Sequence, residues 1–211
     1  MSIDFLNEWF TFSNVIDKKT CNKIKKVVAG NWDKTQIASV GEITKEMRHT
    51  GINASGVYDS KIRVSDIHWT TEQWIYDLTF PLMYKANKKA GWNLDVRTAE
   101  SMQITRYKKG GFYTNHKDGM ADSLAAYDMP NTPFLHGKVR KISMSLILND
   151  NFEGGDLEFI TYGSEEIFID TIKPKLGDVI FFLSGVEHRV TPVTKGTRYS
   201  LVNWFLGPPI K

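Results

Sequence analysis

LGDVIFFLSGVEHRVTPVTKGTRYSLVNWF, residues 176–205, holds three β-type runs punctuated by turn residues. Asp178–Leu183 is short, apolar and rich in β-branched and aromatic side chains, which suits a buried strand. Ser184 and Gly185 break the run, and the chain re-extends through His188–Pro192. After Gly196 a third run follows, Arg198–Leu206. Working outward, the same texture marks Ala99–Tyr107, Gly111–His116, Val139–Leu148, Asp156–Tyr162 and Glu166–Ile169. LNDNFEGGD and KPKLGD supply turn chemistry between runs. Eight short strands at this spacing predict a two-sheet jelly roll.

Upstream of residue 95 the texture is helical. DKKTCNKIKKVVAG (17–30) offers Asp17 as N-cap, Ile24, Val27 and Val28 on one side, and Gly30 as a stop. TTEQWIYDLTFPLMYKANKKAG (70–91) opens on a capping-box pattern, Thr70 to Gln73, and closes at Gly91. Pro81 is expected to kink or split that helix. Between the two, residues 33–69 hold short polar and β-type pieces with no clear element. The expected class is mainly β with flanking helices, the N-terminal helices packing on one sheet. Met120–Gly137 reads as a long loop, of the kind that serves as a lid or binding element.

The chain has 211 residues, 41% hydrophobic and 24% charged, which fits one globular domain. The expected division is an elaboration over 1–95 and a core over 96–211. A net charge of +3 is too weak to argue for nucleic acid. One cysteine, Cys21, excludes an internal disulfide and a thiolate metal site, and fits a reducing cytoplasm. No apolar run is long enough to cross a membrane. The first residues, MSIDFLNEWFTF, lack the pattern of a signal peptide. The Trp and Phe near this end offer an apolar contact for a second copy.

YTNHKDG (113–119) places an imidazole and a carboxylate two positions apart. Side chains at i and i+2 share a face of a strand, so His116 and Asp118 point together if the stretch is extended. Two ligands need a third, and His188 is the candidate, on a strand that can face them across a barrel mouth. Two His and one carboxylate suit non-haem Fe(II), with positions left open. Arg198, ten residues past His188, can reach the same cavity. A buried guanidinium needs an anion, and its planar fork suits a carboxylate. Together these fit a cosubstrate with a chelating head and an acid tail.

The pattern Tyr107, Gly110, Tyr113, His116, Asp118, the turn EGGDLEF (153–159) and the block 176–205 resemble the 2-oxoglutarate and Fe(II)-dependent dioxygenases, in their prolyl 4-hydroxylase branch. The resemblance covers residues 100–207. It implies a double-stranded β-helix of cupin-like form, with iron held by His116, Asp118 and His188. It implies 2-oxoglutarate and O2 as cosubstrates, ascorbate as a reductant, and release of succinate and CO2. Arg198 would hold the far carboxylate of 2-oxoglutarate, with Tyr107 and Ser200 assisting. A substrate pocket would include Tyr113, Trp204 and Arg63. The substrate implied is a peptide or protein containing proline. Collagen-type members often carry Lys where this chain has Arg198, so the match does not fix the substrate. Nucleic-acid dealkylases carry a second Arg six residues past the anchor, where this chain has Trp204.

Ordinary structural readings exist for each residue. His116 could be a surface histidine, Asp118 a turn cap, His188 a core histidine and Arg198 half of an ion pair. Alternatives for the whole are a hydroxylase of a free amino acid or small metabolite, and a non-catalytic metal-binding module. His49, His68 and His136 have no partner pattern and read as non-ligands.

Overall fold

The computed structural model describes residues 7–28, 36–37, 60–164 and 166–210; for 36–37 it describes the backbone alone. The chain order is β1 (Trp9–Phe12), α1 (Lys18–Lys26), β2 (Gln36–Ile37), β3 (Arg63–Val64), β4 (Asp66–Thr70) and α2 (Gln73–Lys89). Then follow β5 (Thr98–Ala99), β6 (Met102–Lys108), β7 (Phe112–His116), β8 (Val139–Ile147), β9 (Phe152–Gly154) and β10 (Leu157–Tyr162). The last four are β11 (Ile167–Ile172), β12 (Val179–Leu183), β13 (Glu187–Val190) and β14 (Val193–Gly207).

Two antiparallel sheets face each other in a jelly roll. One runs β1-β12-β8-β14-β6-β4-β2, with β5 and β9 also paired to β14. The other runs β11-β10-β13-β7-β3. In the middle of the larger sheet, alternate residues feed two cores. Ile142, Met144, Leu146, Val179, Phe181, Leu201 and Phe205 face the helices. Ile147, Ile180 and Phe182 face the smaller sheet and pack on Leu157, Phe159 and Val190. These strands are covered on both sides, which is why they read as continuous apolar runs rather than alternating ones.

Both helices pack on the outer face of the larger sheet. Asp17 caps α1, accepting from the Thr20 backbone N–H at 2.6 Å. The helix ends at Lys26, and Gly30, the expected stop, lies outside the described residues. In α2 the buried residues Ile75, Thr79, Met83, Ala86 and Asn87 recur at helical spacing on one face. Gly91 follows its C-cap at φ +76°, as its assignment as the stop requires. The start differs from expectation. Thr70 is the last residue of β4, and Glu72 is the N-cap, its carboxylate accepting from the Trp74 indole N–H at 3.1 Å and from no backbone N–H of the first turn. Strand pairing with β6 holds Thr70 extended and overrides the capping pattern. Pro81 does not split the helix.

The N-terminal Trp and Phe side chains that are described pack inward. Trp9 stacks on Phe159 at 4.8 Å, and Phe12 meets Phe181 edge-on at 6.2 Å.

Candidate metal centre and cavity

His116 ends β7 and pairs directly with His188 of β13 in the strand register. The facing positions bring the two rings to 4.1 Å between centroids. Asp118 lies beyond the strand end, not on the extended continuation that the spacing suggested. Its turn is fixed by two contacts. The Gly119 N–H donates to the Ser184 carbonyl at 2.9 Å, and Arg140 Nη1 donates to the Asp118 carbonyl at 3.1 Å. The Asp118 carboxylate then faces both imidazoles. Oδ1 is 3.8 Å from His116 Nε2, and Oδ2 is 3.7 Å from His188 Nε2. One ligand atom from each residue lies within 4.8 Å of the other two, so a single ion could touch all three.

The remaining ring nitrogens settle the tautomers. His116 Nδ1 sits 2.8 Å from the Thr114 carbonyl, and His188 Nδ1 sits 3.0 Å from the Val186 carbonyl. A carbonyl only accepts, so each Nδ1 carries a proton, and Nε2 is left as the atom that a metal ion would use in the neutral ring. Burial first, then His188, hold His116 well below the usual histidine range, neutral as a ligand must be. Burial raises the Asp118 carboxyl, but His188, His116, Arg140 and a Ser143 hydrogen bond together pull it below the usual value. These three donors, of imidazole and carboxylate type, fit a ferrous ion.

Arg198 lies across the cavity on β14, 1% exposed. Its Nη1 donates to Ser200 Oγ at 3.0 Å, whereas its buried Nε and Nη2 have no partner. It faces Tyr107 in the β14–β6 register, 5.4 Å from that ring. The turn through Gly154 and Gly155 closes against it. A Cβ on Gly155, which has φ +66°, would lie 2.8 Å from Arg198 Cδ. Only glycine permits that backbone and that approach. Burial lowers the Arg198 pKa, yet guanidinium stays charged near neutral pH. A buried cation with two idle donors costs several kcal/mol, which makes Arg198 a candidate to hold an anion there. That fits one carboxylate of a dicarboxylic cosubstrate.

The cavity measures about 50 Å³, and all nine candidate site residues named from the sequence line it. Tyr113 stacks on His116 at 3.5 Å, and the Arg63 guanidinium lies 4.6 Å from the Tyr113 ring centroid. Trp204 lies under the Arg140 guanidinium at 4.2 Å, and its buried Nε1 has no partner. His68 and His136 are not among the lining residues, and His49 lies outside the described residues.

Sequence reasoning missed Gln103, Glu100 and Arg140. Arg140 Nε and Nη2 each reach Glu100 at 2.6 Å, and the Tyr127 hydroxyl donates to the same carboxylate at 2.8 Å. Tyr127 belongs to the 120–137 loop, so the loop is tethered through Glu100 to Arg140, which holds the Asp118 carbonyl. No local signal marks this network, because the bonds to Glu100 span 27 and 40 residues.

Residues 102–206 match the 2OG-Fe(II) oxygenase superfamily. A PKHD-type hydroxylase of Teredinibacter turnerae is 36% identical over 101 residues, 46% of this chain and 39% of that protein. Human prolyl 3-hydroxylase 2 is 41% identical over 73 residues, 34% of this chain and 10% of that protein. The chain thus spans about two-fifths of the length of the bacterial relatives and a tenth of the human one. A Pseudomonas putida prolyl-4-hydroxylase superposes with TM-score 0.64 at 18% identity, covering 95% of this chain and 92% of that one. A Trichoplax adhaerens prolyl hydroxylase, solved with a hypoxia inducible factor peptide fragment, gives 0.67 at 18%, over 95% and 84%. At such identity the structures speak for the fold. The matched residues carry more, and by them the chain belongs to the 2OG-Fe(II) oxygenase superfamily, in its prolyl-hydroxylase-like branch.

Proposed function

We propose that this protein is an Fe(II)- and 2-oxoglutarate-dependent dioxygenase that hydroxylates a peptidyl residue, proline foremost. His116 Nε2, Asp118 and His188 Nε2 would hold the iron. When bound, the ion and 2-oxoglutarate supply the oxidising chemistry: O2 is consumed, succinate and CO2 are released, and one oxygen enters the substrate. The chain's own residues do the rest. Arg198, aimed by Ser200, grips the distal carboxylate of 2-oxoglutarate, and Tyr107 lies beside it. Leu157, Phe182 and Val190 line the cavity with hydrocarbon and keep water from the reacting atoms. Tyr113 packs on His116, and Trp204 offers an idle N–H to a substrate carbonyl.

The observation that carries the reading is the buried, half-idle guanidinium of Arg198 opposite a His-Asp-His cluster with both Nε2 atoms turned inward. A peptide as substrate is supported by the prolyl hydroxylase relatives and by the Trichoplax enzyme's peptide complex. The proposal extends to a single functional unit, with 1–95 elaborating the 96–211 core, since β1 to β4 pair into both sheets. It extends also to ascorbate as a reductant and to a reducing, cytoplasmic location, which suits the one buried, unpaired cysteine.

The test is anaerobic titration with Fe(II) and 2-oxoglutarate, followed by air. The expected result is a weak visible charge-transfer band, then succinate release and a gain of one oxygen mass on proline in a peptide digest. Folded protein that gives neither band nor succinate overturns the reading.

A further inference from the structure

We propose that Arg63 reads a carboxylate on the prime substrate, so that the enzyme selects substrates with an acidic group beside the carbon it oxidises. This rests on the dioxygenase reading above and names the substrate class for that same site.

Arg63 opens β3 and is 7% exposed. Its Nε donates to Ser65 Oγ at 2.9 Å, and its Nη2 donates to Gln103 Oε1 at 2.8 Å. The Thr105 hydroxyl donates to the same Gln103 oxygen at 3.1 Å, which fixes that amide with its oxygen toward Arg63. Both partners are neutral. Among the described residues no carboxylate lies within ion-pair distance of Arg63, and its Nη1 makes no hydrogen bond. Among the described residues Asp118 is the one carboxylate lining the cavity, and it is engaged with His116 and His188. A guanidinium withdrawn from water and left with neutral acceptors lacks a counter-charge.

Charge accounting points the same way. With a divalent ion, Asp118, Arg198 and a doubly charged 2-oxoglutarate in place, the charges cancel. Arg63 then leaves one positive charge in a largely hydrocarbon cavity. An incoming carboxylate completes the neutralisation and takes up the vacant Nη1 in a charge-assisted hydrogen bond. Tyr113 contacts both the Arg63 guanidinium and the His116 imidazole, so that anion would sit one aromatic ring from a metal ligand. The carboxylate could come from an Asp or Glu flanking the target residue, or from a free acid.

The experiment measures succinate release and oxygen gain with matched pairs in two arms. One arm holds short proline peptides flanked by Asp or Asn and by Glu or Gln. The other holds free amino acids and small carboxylic acids beside their amides. The acidic member should exceed its amide in kcat/KM by about tenfold or more, as a hydrogen bond to a charged group would give. Gln103→Glu places a built-in carboxylate against Arg63 and should bring the ratio close to one. Arg63→Gln should do the same, and Arg63→Lys should keep part of the preference. Acid preference confined to the free-acid arm keeps the Arg63 proposal and removes the peptide reading. Equal turnover of acid and amide overturns the proposal, and so does a ratio that Gln103→Glu leaves unmoved. Succinate release without any prime substrate tests the dioxygenase reading separately.

Discussion

Arg198 shows how one side chain concentrates the physics of the site. It is fully withdrawn from solvent, lowered in pKa by burial, and satisfied at one nitrogen of three. Truncating it removes the charge that an acid tail would meet. Arg198→Ala should raise the KM for 2-oxoglutarate by about a hundredfold or more, since losing one member of a buried charge pair costs about 3–5 kcal/mol. Steady-state succinate assays check this, and an unchanged KM removes Arg198 from the role. Cys21 makes a second residue-level case. Burial, with Asp17 adding to it, pushes its thiol up to about 11. The thiol's folded pKa lies above its unfolded value, so its contribution to stability is complete below the unfolded pKa of about 8.5. That contribution is lost as pH rises through about 11. At neutral pH a thiol reagent should label the native protein far more slowly than the urea-unfolded chain, as the labelling rates will show.

Among the elements, β7 and β13 carry most of the metal geometry. Their pairing sets His116 opposite His188 before any ion arrives. The larger sheet does different work: it is the platform between two cores. Phe181 on β12 faces the helix side, fully buried, with Phe12 and Phe205 around it. Phe181→Ala should destabilise the fold by about 3–5 kcal/mol, by lost transfer energy and a residual cavity. Because the side chain points away from the cavity, metal affinity should hold while the denaturation midpoint falls. Denaturant melts with and without Mn(II) separate the two effects. The turn at Gly154 and Gly155 is the other element that matters, since a side chain on Gly155 would displace Arg198.

For the molecule as a whole, the cavity lies between two sheets and is lined from both. Ligands that bind only the folded state must therefore raise its stability. Mn(II) with 2-oxoglutarate at a hundred times the Kd should add about 2.7 kcal/mol, or about 5–11 °C in Tm for a chain of this size. Thermal melts check it. A chelator should reverse the shift, and His188→Ala should abolish it. No shift with intact protein would sink the metal assignment.

Sequence alone determined the jelly-roll class, because apolar runs with glycine and aspartate breaks have few other ways to bury themselves. It marked the candidate ligands His116, Asp118 and His188 and the candidate anchor Arg198, because those residue types keep a fixed local spacing. Tertiary structure decided what no local pattern encodes. Asp118 turns inward through contacts with Ser184 and Arg140, and not through strand alternation. Thr70 became strand because β6 claimed its backbone. Glu100, Arg140 and Tyr127 meet across long separations, and Arg63 is charged among neutral partners only because the fold sets Gln103 beside it. Local spacing fixes which side chains can point together, whereas charge balance and burial depend on what the rest of the chain brings near.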